Sequence, residues 1–215
     1  LGLGGGTSAR TYRELYPEAE VTGVELDPGV VEAGRRFFGL PDDVEVITDD
    51  ARAFLSRERA RYDIIVVDAF QFPYVPFQLC TREFFQLLDA HLAPGGAVVL
   101  NVGRDEDSRE VVDSVARTLA TVFPSVRGVD VSRAPNTIVV ATRHRGDEDV
   151  GLSSLALPEE ASRRLAGLRP VAAVQPPVEA PVLTDDVAPV ELLTDLIVLR
   201  LMVGDLASAL GGGSA

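Results

Sequence analysis

At 215 residues the chain suits one domain of ordinary size, or one domain plus an appendage. It is 46% hydrophobic, enough for a core, and its 33 acidic and 20 basic residues give a formal net charge of −13, which argues against nucleic acid, whose phosphates need clustered Lys and Arg. Cys80 is the single cysteine, which excludes an intramolecular disulfide and a cysteine-based zinc site.

The first nine residues, Leu1-Gly2-Leu3-Gly4-Gly5-Gly6-Thr7-Ser8-Ala9, read as the end of a buried strand, a glycine turn and the start of a helix. Gly2, Gly4 and Gly6 make G-x-G-x-G, where a backbone without side chains turns tightly and admits a ligand closely. The helix over residues 7–16 points its free N–H groups back at whatever is bound there. Residues 21–25 form the next strand and end in Glu25, nineteen positions beyond Gly6. An acidic residue about 20 positions past such glycines takes both hydroxyls of a ribose. The dinucleotide fingerprint needs its last glycine where this chain has Thr7. G-x-G-G-G instead fits a nucleoside without pyrophosphate, such as S-adenosylmethionine (AdoMet).

Asp27 caps a helix that has Pro28 in its first turn and runs to Gly39. A strand over residues 44–48 leads to Asp49 and Asp50, then to a helix from Ala51 to about Glu58. Residues 62–68, Tyr-Asp-Ile-Ile-Val-Val-Asp, are the apolar run of a central parallel strand. A loop rich in Phe and Pro spans residues 69–80, and its segment Pro73-Tyr74-Val75-Pro76-Phe77 is expected to be a lid that excludes water from the site, with a stiff loop packing on the core as the other reading. A helix over 81–92, a turn at Pro94-Gly95-Gly96, a strand over 97–102 and a helix over 108–123 follow. Strands at 126–131 and 137–142 close the series.

Five strand–helix cycles ending on a hairpin predict an α/β fold. The architecture is a Rossmann-like, doubly wound, seven-stranded sheet, mostly parallel with one antiparallel strand near the end, as in AdoMet-dependent methyltransferases. Ligands on such sheets sit outside the carboxyl ends of the strands. That rule gathers the glycine loop, Glu25, Asp49, Asp50 and Asp68 into one site. Neither His91 nor His144 has metal-ligand spacing around it, so both are expected to be ordinary, partly exposed histidines and no metal is expected. Residues 1–145 are read as the nucleoside-binding domain. Residues 146–215 are read as an extension packing on it, with a short helix over 158–168, an extended Pro-rich stretch over 170–181 and a final helix over 190–210. There is no leader and no run of 18 apolar residues, so a cytoplasmic protein with no membrane contact by this segment is expected. The initial Leu1 and the very short first strand point to a segment of a longer protein.

Several stretches resemble the spermidine synthase family of aminopropyltransferases. They are Gly4-Gly5-Gly6, Val24-Glu25-Leu26-Asp27, Asp50-Ala51 with Phe54-Leu55, residues 62–68, and Leu79 to Gln86. The likeness covers roughly residues 1–103 in order and spacing. It is greatest to a bacterial branch with some members fused to transporter-like domains, where the segments 73–77 and 184–191 also look familiar. The resemblance implies aminopropyl transfer from decarboxylated AdoMet to a di- or polyamine, with Glu25 on the ribose, Asp50 and Ala51 at the adenine and Asp68 as the catalytic carboxylate. It further implies an N-terminal strand domain and a homodimer. The acidic balance of the chain permits a cationic substrate.

Two departures bear on the transfer of function. The synthases carry an aspartate at the position of Thr7 and a second acid at the position of Gln71. Asp185, Asp186 or Glu191 would replace those anions if the C-terminal segment folds over the pocket; otherwise Thr184-Asp185-Asp186 is a turn before a helix. Gln71, Tyr74, Asp185 and Asp186 are therefore the expected amine-binding residues. Methyl transfer from AdoMet itself is the alternative, since Thr7 removes a repulsion against the carboxylate that AdoMet retains. A non-catalytic nucleoside-binding domain is the third reading.

Overall fold

A computed structural model describes residues 1–69, 76–104, 108–131, 136–144, 172–173 and 177–189, with Glu159, Arg163 and Asp195 singly. In chain order the elements are α1 (Thr7–Leu15), β1 (Thr22–Glu25), α2 (Pro28–Phe37), β2 (Glu45–Thr48), α3 (Ala51–Arg57), β3 (Tyr62–Val67), a 3-10 turn (Phe77–Leu79), α4 (Arg82–Ala90), β4 (Leu92–Gly103), α5 (Glu110–Leu119), β5 (Ser125–Asp130), β6 (Asn136–Thr142) and β7 (Ala172–Ala173).

Side-chain caps start three of the helices. Asp27 accepts from the Gly29 N–H, Asp50 from the Ala53 N–H and Thr81 from the Phe84 N–H, each satisfying a donor that the helix itself cannot. α1 begins differently. Gly6 stands before it in the left-handed region with no side-chain cap.

β1 and β2 pair in parallel, and a second set runs in the order β3-β4-β6-β5-β7. β3 and β4 are parallel, whereas β6 is antiparallel to both β4 and β5. Residues 1–3 join the two sets. The amides of Gly2 and Leu3 donate to the Val24 carbonyl, the Leu1 nitrogen donates to the Val66 carbonyl, and the Asp68 amide donates back to the Leu1 carbonyl. The result is a mixed, Rossmann-like sheet.

One sheet face carries Ile65, Val67, Val98, Leu100, Val139 and Ala141, all buried against side chains of α3, α4 and α5 such as Leu55, Phe84, Leu88 and Val115. The period-two burial of β6 shows the half-covered sheet directly. Each large aliphatic side chain fully buried this way contributes about 1.5–3 kcal/mol. A smaller cluster of Ala9, Leu40 and Val44 lies under the glycine loop.

Leu183 is fully buried in the main core. Its amide donates to Thr118 Oγ1 of α5 at 2.9 Å, and its carbonyl accepts from the Arg82 amide of α4. The chain around residue 183 is thus built into the same core as residues 1–144.

Three expectations need correction. Pro94, Gly95 and Gly96 do not separate a helix from a strand but sit inside β4. Tyr62 pairs with Leu92 and Ile64 with Ala97, so the extra residues are absorbed as a bulge, with Gly95 at φ 82°. Leu92 accordingly belongs to β4, not to α4. Within the stretch expected to be extended, residues 172–173 pair antiparallel with β5. His91 is buried, and its Nδ1 and Nε2 face the carbonyls of Leu87 and Glu58 at 2.8 and 3.2 Å. The helices expected over 158–168 and 190–210 lie outside the described residues apart from three single positions. Among the described residues, no helix is long and apolar enough to cross a membrane.

Candidate functional site

The carboxyl ends of β1 and β3 meet at residues 1–6, and that of β2 lies beside the end of β1. Gly2, at φ 78°, lies against the start of the loop after β3. A methyl group on its Cα would come within 2.5 Å of the Asp68 carbonyl oxygen, so only glycine allows this approach. Gly4, at φ 55°, has open space where a side chain would stand, which leaves its backbone face to a ligand. Gly5 lies under the Phe38 ring, and a Cβ on Gly6 would clash with Leu40 at 2.5 Å. Thr7 is exposed at the first turn of α1.

Glu25 braces this loop from the end of β1. Its Oε2 accepts from the Gly4 N–H at 2.8 Å, and its Oε1 accepts from the Asp27 N–H at 3.1 Å. Two backbone donors therefore fix the carboxylate across the glycine turn. The Glu25 carbonyl accepts from the Asp49 amide, which brings the end of β2 alongside. Asp49 accepts from the Asp50 amide and pairs with Arg57. Asp50 caps α3, and Ala51 follows it, nearly buried.

Asp68 follows β3 and is exposed. Its Oδ1 accepts from Asn101 Nδ2 at 2.9 Å, and Asn101 Oδ1 in turn accepts from Asn136 Nδ2 at 2.8 Å. The Asn101 amide is thereby given one orientation, with nitrogen toward the carboxylate. Beside this chain is an open depression lined by Val67, Ala69, Pro76, Leu79, Cys80, Leu100, Asn101 and Val102. Among the described residues its walls are apolar except at Asn101. Burial pushes the Cys80 thiol up to about 12, so the sulfur stays protonated and acts as a small apolar wall.

The structure therefore brings Gly2, Gly4, Gly5, Gly6, Glu25, Asp49, Asp50, Ala51 and Asp68 to one sheet edge. Gln71 and Tyr74 lie outside the described residues. Asp185 and Asp186 sit in a turn closed by reciprocal backbone bonds between Thr184 and Val187. Asp186 is exposed. Asp185 is engaged, with its two oxygens 2.8 and 2.6 Å from Nη1 and Nη2 of Arg52. That bidentate bond holds the Asp185 carboxyl below the usual range.

Asn101, Asn136 and Arg52 escape the sequence reading. Asn101 had a usable signal, as a single amide at the carboxyl end of an apolar strand. Asn136 and Arg52 had none, because their partners are distant in sequence.

The model of the spermine/spermidine synthase domain matches residues 1–140. A probable polyamine aminopropyl transferase of Bifidobacterium longum is 33% identical over 212 residues, covering 90% of this chain and 48% of that protein. The chain spans about half the length of that relative. Among solved structures, a probable spermidine synthase from Corynebacterium glutamicum superposes with a TM-score of 0.70 at 26% identity, covering 87% of this chain and 71% of that one. Human methyltransferase-like protein 13, solved in complex with SAH, gives a TM-score of 0.64 at 25% identity over 76% of this chain and 78% of its own. The Rossmann-like fold with a mixed sheet is that of these methyltransferase-type neighbours.

Proposed function

The chain belongs to the spermine/spermidine synthase domain family, and from that premise we propose that it transfers an aminopropyl group from decarboxylated AdoMet to a primary amine of a di- or polyamine. The observation that carries this reading is the Asp68 carboxylate, oriented by Asn101 on a backbone that lies against the glycine loop braced by Glu25. We read residues 1–145 as the domain that performs it and residues 146–215 as an extension packed on it. Residues 1–3 then count as the first of seven strands within residues 1–145, to which β7 of the extension adds one more.

Glu25 takes the ribose hydroxyls, its carboxylate already aimed across the loop. Asp50 and Ala51 meet the adenine at the first turn of α3. The uncapped start of α1 presents N–H groups to the nucleoside. The acceptor enters as an ammonium of pKa near ~10 and must lose a proton before it attacks. Asp68 takes that proton and becomes the carboxylic acid. The amine lone pair then forms an N–C bond to the methylene beside the sulfonium. The C–S bond breaks, its electron pair returns to sulfur, and methylthioadenosine leaves. Before the transfer, the Asp68 charge also complements the cationic reactants.

Thr7 and Gln71 stand where the synthases have acids, and each missing charge-assisted contact is worth about 1.5–3 kcal/mol. Gln71, Tyr74, Asp186 and Glu191 stay as candidates to hold the amine, whereas Asp185 is taken up by Arg52. A second reading, methyl transfer from AdoMet, is favoured by Thr7 and by the likeness to methyltransferase-like protein 13. A homodimer is proposed from family membership alone.

Incubation with each donor and a di- or polyamine decides between the readings. Methylthioadenosine released from decarboxylated AdoMet supports aminopropyl transfer. S-adenosylhomocysteine released from AdoMet supports methyl transfer instead. Ligand-induced thermal shifts with both donors but neither product would replace the enzymatic reading with a nucleoside-binding one.

A further inference from the structure

Arg52 and Asp185 are 133 residues apart in sequence and form a side-on ion pair. Arg52 occupies the first turn of α3, immediately after Ala51, yet α3 does not need it to start, because Asp50 already caps the helix through the Ala53 amide. The guanidinium reaches elsewhere. Nη1 also donates to the Gln78 carbonyl at 3.2 Å and to Thr81 Oγ1 at 3.5 Å. One side chain thus joins the nucleoside end of α3, the 3-10 turn and the cap of α4.

Asp185 is the fixed end of this arrangement. Its amide donates to Glu83 Oε2 at 3.0 Å, and its turn is closed by the Thr184 and Val187 backbone. Leu183, two residues earlier, is fully buried. The far end is the stretch 76–81, which supplies Pro76, Leu79 and Cys80 to the wall of the depression beside Asn101 and Asp68.

We propose that the Arg52–Asp185 pair is a clasp that sets this wall, and that both are positioning residues for the acceptor, acting through residues 76–81 rather than touching it. The proposal rests on the enzymatic reading above. The pair is partly exposed, with side chains 26% and 43% accessible, and pairs of that kind add little to global stability. The forked geometry, however, directs two N–H bonds along fixed lines. The clasp therefore governs placement more than folding, and this separates it from a merely structural contact.

The test compares the unaltered chain with Asp185→Asn and Arg52→Gln, with Arg13→Gln as a control at an ion pair elsewhere. Hydrogen–deuterium exchange is read without ligand on peptides covering residues 76–83. Donor Kd and acceptor KM and kcat are read on the same samples. The clasp variants are expected to exchange about threefold faster or more over 76–83, where the Leu79 and Cys80 amides close the 3-10 turn. Acceptor KM should rise by about tenfold while donor Kd stays within about twofold. Unchanged exchange over 76–83 overturns the clasp. A parallel loss of donor and acceptor affinity overturns the positioning role in favour of general loosening. Absence of turnover by the unaltered chain with either donor overturns the enzymatic reading, and with it the acceptor role; the exchange result alone then decides whether the clasp exists.

Discussion

Among the described residues, Asp68 receives a side-chain hydrogen bond at Oδ1, from an amide whose orientation is fixed by a second amide. Asp68→Asn replaces a proton acceptor with a group that cannot take a proton at neutral pH. Turnover should fall by about 10²–10⁴-fold, the usual contribution of a positioned general base. Nucleoside affinity should stay within about twofold, because Glu25 and the glycine loop are untouched. Steady-state kinetics with a parallel donor titration checks both halves, and retained turnover would reassign the base. Gly2 belongs to the same small region, since any side chain there displaces the Asp68 backbone.

At the scale of elements, helix starts and strand ends do most of the placing. Asp27 caps α2 through a 2.7 Å bond to the Gly29 amide, and Pro28 follows at the first helical position. Asp27→Ala should lower stability by about 1 kcal/mol, which for a chain of this length moves the thermal midpoint by about 2–4 °C. Nucleoside affinity should hold, because Asp27 supports Glu25 through its backbone amide rather than its side chain. Thermal melts with and without donor test this, and an unchanged midpoint would remove the cap from the account.

These same elements were legible in the sequence, because caps, glycine turns and apolar runs act over a few residues. The carboxyl-end rule then collected Glu25, Asp49, Asp50 and Asp68 without any coordinates. What stayed hidden depends on contacts made across the fold. The β4 bulge arises from pairing with β3, and a Pro-Gly-Gly run reads equally well as a turn. His91 finds two carbonyls, one of them at the end of α3, which no local pattern encodes. Thr184-Asp185-Asp186 reads locally as a turn, and its distant partner Arg52 is visible only in the folded chain.

Over the whole molecule, several carboxylates are set below their ordinary range. Asp185 is lowered chiefly by its hydrogen bonds to Arg52. For Asp130, desolvation raises the pKa but is outweighed by bonds from Thr137 and Arg109. For Glu83, desolvation is likewise outweighed, by backbone amides and Arg82. A folded pKa below the unfolded one adds stability that is complete above the unfolded value, about 3.9 for Asp and 4.3 for Glu. That stability is lost as pH falls through the folded value. The thermal midpoint should therefore decline as pH drops below the ordinary carboxylate range, and Asp185→Asn should make that decline shallower. Melts across an acid series check the slope, and identical slopes for both proteins would exclude Asp185 as a contributor.

Residues 1–3 have a consequence for how the two portions are held together. Among the described residues, hydrogen bonds between the β1–β2 ribbon and the five-stranded portion run at Val24 on one side and at Val66 and Asp68 on the other. Behind them Val24 shares one buried core with Ile65 and Val67, so side chains join the portions as well as backbone. A nucleoside seated on the glycine loop would touch Glu25 on one bank and the Asp68 region on the other. Occupancy would then rivet the halves together, so that a small molecule at the rim raises protection deep in both.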